Sequence, residues 1–295
     1  MQPLTAPAGQ LAALADGRAA FDLSSFRKVR VTGGDARRWL NDLVATDVAS
    51  LEPGMARRTL LLDATGHIRA DLRVACDEQG FWLFQSPDQA GHVGSALTPY
   101  VLSADVHLAD VSGGRRLLAL PGGADEPGGA GFRPSFLGDG RDLLVDDEED
   151  DDASISGRAL VGPDAVEVWR IRAGIARMGM DFDATSIPAE AGLSSTIDTT
   201  KGCFLGQESV ARVRNLGHPP RLLVHLESDA RVDPGSRLRD RSGVGDMPED
   251  VGVVTSAAER DGGGTVMLAS VRWQFRDVAL TSSDGAALSA VGSPD

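Results

Sequence analysis

The stretch Lys201-Gly202-Cys203-Phe204-Leu205-Gly206-Gln207-Glu208 decides how this chain is read. Two glycines bracket a cysteine, which implies a tight turn or a close backbone approach at Gly202 and Gly206. An amine, a thiol, an amide and a carboxylate lie within eight residues. The amine is informative because the chain holds only two lysines, Lys28 and Lys201, against 27 arginines. A flexible point charge is not freely replaced by a planar guanidinium, so a lysine kept in so arginine-rich a composition points to a need for the amine. Residue chemistry leaves two readings open. Cys203 is a reactive thiol whose thiolate is favoured by Lys201 and by the start of a following helix, or it is a small buried hydrophobe in a glycine turn. Gln207 and Glu208 orient partners by hydrogen bonds, or they open that helix, where an anion near the N-terminus is favoured.

Composition narrows the function classes. A length of 295 residues with 42% apolar side chains fits two or three domains with real cores. No run of 18 apolar residues occurs, so no membrane span is expected. No basic segment followed by an apolar run opens the chain, so no signal peptide is expected. Cys76 and Cys203 are far apart, with no CxxC pair and no histidine cluster, which fits reduced thiols in the cytoplasm. Two such thiols cannot hold a zinc or iron–sulfur centre alone, since those sites usually need four protein ligands. His67, His92, His107, His218 and His225 show no metal spacing. The formal net charge of −14 repels phosphate backbones, so no direct nucleic-acid partner is expected. The unbroken acidic run 146–152 reads as a solvated loop. Arg170, Arg172, Arg177, Arg212, Arg214 and Arg221 allow a local basic surface near the Cys203 stretch.

Outward from that stretch, residues 208–213 continue as a helical turn, and 165–174 return to regular structure. Upstream, 10–15 read as a short helix after a disordered lead over 1–9. Residues 26–31 read as a strand, and Asp35 can cap a helix to about Val44 with Trp39, Leu40 and Leu43 on one face. Residues 59–63 and 67–75 read as strands about a turn at Ala64-Thr65-Gly66, with a third strand over 80–85. Pro87 opens a helix toward Tyr100. Strands follow over 106–111 and 115–120, and then 121–158 holds short strands at most. After Pro219-Pro220 the texture becomes short β-rich runs at 221–227, 237–239, 251–257, 266–271 and 278–280, as in a small barrel or sandwich. By this texture alone the chain is α+β to about residue 215 and all-β beyond 218.

The octapeptide resembles the Lys-Gly-Cys-Tyr-x-Gly-Gln-Glu signature of the YgfZ family, with one Tyr-to-Phe change. The flanks agree in order and spacing: Trp169-Arg170-Ile171-Arg172-Ala173-Gly174, Ile187-Pro188-Ala189-Glu190 and Val210-Ala211-Arg212. The resemblance covers about residues 21–278, weakly around 120–160. It implies the α+β plan of the T-protein superfamily: αβ modules around a central folate hole, followed by a C-terminal all-β barrel. The first module would take 10–110, completed by about 165–215, the second 111–164, and the barrel 218–295. It implies a protein that binds tetrahydrofolate or a related folate and supports iron–sulfur proteins or their assembly factors, including tRNA-modifying enzymes. Cys203 and Lys201 would carry the chemistry, with Gly202, Gly206, Gln207, Glu208, Arg172 and Asp71 near the cofactor.

Three positions depart from the aminomethyltransferases of the superfamily. Gly206-Gln207-Glu208 stands where they usually have Gly-Arg-Glu. Their Asp-Asp pair is reduced to Ala70-Asp71. Their pterin-reading glutamate is Arg172, which offers only donors where a pterin's amino and ring N–H groups want an acceptor; an arginine there suits a carboxylate such as a folate tail. A standard aminomethyltransferase is therefore not expected. A one-carbon transferase of the T-protein class and a ligand-free scaffold stand as the alternatives.

Overall fold

The computed structural model describes residues 2–122, 131–146, 157–241 and 250–291. Beyond Asp146 the acidic run lies outside the described residues. The chain divides into two compact units. One holds Ala8–Gly162 and Ser195–Val210; the other holds Met1–Pro7, Pro163–Ser194 and Ala211–Asp295.

The first unit is built on two sheets. Strands β1 (Ala19–Asp22), β2 (Arg27–Thr32), β3 (Ala56–Leu62), β4 (Ile68–Asp77), β5 (Gly80–Gln85), β6 (His107–Asp110), β7 (Arg115–Leu120), β8 (Arg141–Asp146) and β9 (Ala159–Leu160) are accompanied by α1 (Gln10–Ala15), α2 (Ala36–Leu43) and α3 (Val93–Leu97). The five-stranded sheet runs β3-β4-β5-β2-β6, antiparallel throughout, and the four-stranded sheet runs β8-β7-β1-β9. Alternation along β4 sorts its side chains: Ala70, Leu72, Val74 and Cys76 enter a core shared with Trp39, Leu40 and Leu43 of α2, while Arg69, Asp71 and Arg73 take the other face. On that face the buried Arg73 meets Asp142 of β8, 3.4 Å between Nε and Oδ2. Asp142 also accepts from Ser135 Oγ at 2.6 Å, and burial pushes its carboxyl up to about 6.

The second unit is a closed barrel with a helix. Helix α4 (Pro163–Arg172) opens on proline, carries Asp164 in its first turn and Arg170 and Arg172 in its last, as the helix dipole favours. Helix α5 (Gln207–Leu216) begins in the first unit and ends in this one. Strands β10 (Arg221–Ser228), β11 (Arg237–Asp240), β12 (Asp250–Glu259), β13 (Thr265–Arg272), β14 (Leu280–Ser282) and β15 (Ala287–Ala290) close in the order β10-β13-β12-β11-β14-β15. Leu226, Val254, Met267, Ala269 and Leu280 fill its interior.

Some expectations need correction. The helix expected from Pro87 does not start there. Its carbonyls go to side chains instead: Arg27 Nη1 donates to Gln89 O at 2.9 Å and Gly91 O at 2.7 Å, and Gln85 Nε2 to Gly91 O at 2.8 Å. Helix α3 begins only after His92, whose ring accepts from Gly94 N. The lead over 1–9 is not wholly unstructured, because Leu4 N donates to Ala257 O and Leu4 O accepts from Glu259 N, both at 3.0 Å. Strands β1, β9 and β15 were not expected.

Lys28, one of the two lysines, is fully buried in β2. Its ammonium donates to Ser24 O at 2.7 Å, Phe26 O at 3.1 Å and Ser112 O at 3.2 Å. A buried charge survives only with its donors matched. Lys28→Met should therefore cost about 3 kcal/mol, because the carbonyls lose their donor while the stem is replaced in kind. Urea denaturation checks this; a loss below about 0.5 kcal/mol would show that the carbonyls find other donors.

Candidate functional site

Helix α2 leaves its last carbonyls without helical partners, as every α-helix does. Two cations take up one of those carbonyls, Asn41 O, and five in the segment that follows. Arg37, on α2 itself, donates to Val48 O, Ala49 O and Leu51 O at 2.8–3.2 Å. Lys201 reaches in from a distant part of the chain and donates to Asn41 O at 2.5 Å, Val44 O at 2.7 Å and Thr46 O at 2.8 Å. A cation at a helix C-terminus is electrostatically favourable. Burial nonetheless pushes the Lys201 amine down to about 8, opposed by the carboxylates of Asp47, Asp198 and Asp42.

The backbone entering this socket is pinned as well. Asp198 N donates to Ala45 O at 3.0 Å. Its carboxylate oxygen Oδ1 accepts from Thr200 N and Thr200 Oγ1 at 2.7 Å and from Lys201 N at 3.0 Å. The Thr200 hydroxyl holds that carboxyl below the usual carboxylate range. This is an Asx-type turn closed by a hydroxyl.

The backbone leaving the socket is held differently. The Phe204 ring is buried and lies 5.4 Å from the Lys201 ammonium. Leu205 packs on the core of the five-stranded sheet. Gly206 has φ +81°, and a Cβ there would stand 2.5 Å from Asp63 O and 3.0 Å from Leu62 Cβ. Gly66, at the tip of the β3–β4 hairpin, meets Ser209 of α5 in the same way, 2.8 Å from a would-be Cβ to the serine Cβ. The hairpin tip and the start of α5 are thus embedded in one another.

Between these anchors stand two exposed residues, Gly202 and Cys203. The sequence implied a tight turn or a close approach at the two glycines; the close approach falls at Gly206, and Gly202 lies in a bend. Gly202 lies outside the left-handed region, and nothing lies within 4 Å of a Cβ built there. Cys203 is an exposed thiol, and Cys76 is buried, where desolvation pushes its thiol up and Arg37 stands 3.4 Å from the sulfur. Gln207 and Glu208 form the first turn of α5, and Glu208 is exposed there.

The other expected site residues lie elsewhere. Asp71 on β4 is held by both ends of the Arg58 fork, at 2.9 Å to Nε and 2.6 Å to Nη2. Arg172 ends α4 in the barrel unit, where it donates to Glu259 O at 2.7 Å and to Asp261 at 2.8 Å. Its neighbours are similarly occupied. Arg170 is buried and bonded to Glu167, Asp181 and Ser256, Arg177 pairs with Glu167, and Arg221 bonds Ser270. Each of these four arginines therefore spends donors inside the unit. Among the described residues no cluster of histidine, cysteine, aspartate or glutamate could hold a metal ion, and no helix is long and apolar enough to cross a membrane. Sequence reasoning missed the socket carbonyls, which no side-chain pattern reveals, and also Asp198, whose Asp-x-Thr spacing signals the turn.

Comparison with known proteins agrees with this architecture. Residues 7–125 match the GCVT N-terminal domain. The solved glycine cleavage system aminomethyltransferase T from Bartonella henselae superposes with a TM-score of 0.81 at 23% identity, over 99% of this chain and 91% of that one. The fold is T-protein-like. An aminomethyltransferase of Streptomyces coelicolor is 27% identical over 277 residues, covering 81% of this chain and 73% of that protein. An uncharacterized protein of Haemophilus influenzae is 25% identical, covering 81% of this chain and 84% of its own length. On this T-protein-like scaffold the Gly202-Cys203 tip belongs to the sheet unit, and Arg172 to the barrel unit.

The two glycines should respond differently to a methyl group. Gly206→Ala should destabilise by about 2 kcal/mol or more, since φ and the Asp63 carbonyl both oppose it. Gly202→Ala should stay within about 0.5 kcal/mol of wild type. Urea midpoints at equal slope compare them; equal losses at the two positions would contradict the assignment.

Proposed function

We propose that this chain is a folate-binding accessory protein that presents Cys203 to iron–sulfur enzymes or their assembly factors, including enzymes that modify tRNA. The observation that carries the reading is the exposed Gly202-Cys203 tip between two anchored flanks. A thiol held this way reaches a partner without the entropy of a free loop. Its likeness to the YgfZ signature supplies the class of partner.

The aminomethyltransferase relatives favour a second reading, a one-carbon transferase using tetrahydrofolate. The strand that would carry the catalytic carboxylate speaks against it. Ala70 lies in the core, and both oxygens of Asp71 are taken by Arg58. A base must hold a lone pair within reach of the proton it removes, and the Arg58 fork engages one on each Asp71 oxygen, which narrows the directions left for a substrate.

The pterin-reading acceptor also does not fit. On α4 the carboxylate of Glu167 is occupied by Arg170 and Arg177, and Arg172 faces Glu259 and Asp261. A reduced folate would therefore bind without that contact, weaker by about 1–3 kcal/mol, or about tenfold to a hundredfold in affinity.

In cells lacking the endogenous protein, iron–sulfur enzyme activity should be restored by wild type and by Cys76→Ala, and reduced with Cys203→Ala at matched expression. Full restoration by Cys203→Ala would remove the thiol from the function. Titration with tetrahydrofolate should show saturable but weak binding, tightened by Arg172→Glu. Turnover of a methylamine-loaded lipoyl carrier at enzymatic rates would select the transferase reading instead.

A further inference from the structure

We propose that Lys201 is the positioning residue of the Cys203 tip, acting as an ammonium lock on the C-terminal end of α2 rather than as a charge that activates the thiol. The inference rests on the reading of Cys203 given above. Three carbonyls converge on one nitrogen at 2.5–2.8 Å. A tetrahedral ammonium has three donors on one atom and fills such a socket completely. Once seated, it has no donor left to give a thiolate. A guanidinium nitrogen carries at most two hydrogens, so it cannot give each of three converging carbonyls a donor of its own. The composition gives independent weight to this. Both lysines of the chain, Lys28 and Lys201, sit in three-carbonyl sockets; Arg37 Nη1 also meets three carbonyls, at the longer 2.8–3.2 Å, and has two hydrogens to share among them.

The lock acts on Cys203 through the chain. Lys201 is two residues before the thiol, and Phe204, one residue after it, places its ring beside the same ammonium. Asp198 is tied to Ala45 upstream and Gly206 is seated on Asp63 downstream, and between Lys201 and the buried Phe204 the exposed Gly202 and Cys203 stand out to meet a partner. Loss of the ammonium removes the central of three restraints, so the segment should open locally without unfolding the unit.

Peptide-resolved alkylation of the full-length native protein with iodoacetamide, together with deuterium uptake, tests this, with the buried Cys76 as internal control. Lys201→Met keeps the stem and removes the charge. Its Cys203 should alkylate about threefold faster or more, and residues 198–206 should take up deuterium faster. Lys201→Arg should show the same changes, and it reads out the same quantities where Lys201→Met does not fold. In Lys201→Ala, n-propylammonium should restore the wild-type values and n-propylguanidinium should not. Slower alkylation of Lys201→Met with unchanged deuterium uptake would overturn the proposal, since it is the mark of a charge acting through space. Equal rescue by the two cations, or a wild-type profile for Lys201→Arg, would overturn it too. Cys203→Ala complementation is a separate readout: its full rescue would end the functional reading and leave the lock untouched.

Discussion

One ammonium ion in a ring of three carbonyls holds the candidate site together. Lys201 joins a late segment of the chain to the end of a helix some 160 residues earlier, and it does so through backbone oxygens rather than side chains. This changes what the lysine is for. A lysine two residues from an exposed cysteine invites an electrostatic account, in which the cation lowers the cost of the thiolate. The geometry assigns the cation to helix α2, whose terminal carbonyls need donors in any case. The thiol gains a fixed place instead of a partner charge.

The same constraint explains why the surroundings look as they do. The α2–β3 connection has few regular hydrogen bonds, so Arg37, Asn41 and Lys201 supply them. That makes the connection stiff enough to serve as an anchor. On the other flank, glycine at 206 lets the loop press onto the hairpin backbone, which no side chain would allow. A polar anchor on one side and a steric one on the other leave a two-residue tip. Asp71 is held by Arg58, and Arg172 donates to Glu259 O and Asp261.

Much of the fold was legible in the sequence because period and punctuation are local. Strand β5 and helix α1 fall at the expected residues, and the change of texture at Pro219-Pro220 coincides with the first barrel strand at Arg221. The misses have a common cause. The Pro87 helix failed because Arg27, some 60 residues away, competes for its carbonyls, together with the nearby Gln85 side chain. Strands β1 and β9 exist only through their neighbours and carry too few residues to show a period. At the site, the reading of glycine as a close backbone approach held at Gly206. The role of Lys201 was not legible, since its partners are backbone carbonyls that any residue would provide. Only the scarcity of lysine hinted that the amine mattered.

That scarcity also makes the central claim directly measurable. With two lysines in the chain, a side-chain ¹H–¹⁵N spectrum of the ammonium groups holds at most two signals from lysine. At pH 6, below the value of about 8 to which burial brings Lys201, both should be visible, with their protons protected from solvent exchange. The Lys201 nitrogen should show scalar couplings across hydrogen bonds to the carbonyl carbons of Asn41, Val44 and Thr46. A Lys201 signal lost to solvent exchange, or one coupled to none of the three carbonyls, would contradict the socket and with it the account of how Cys203 is held.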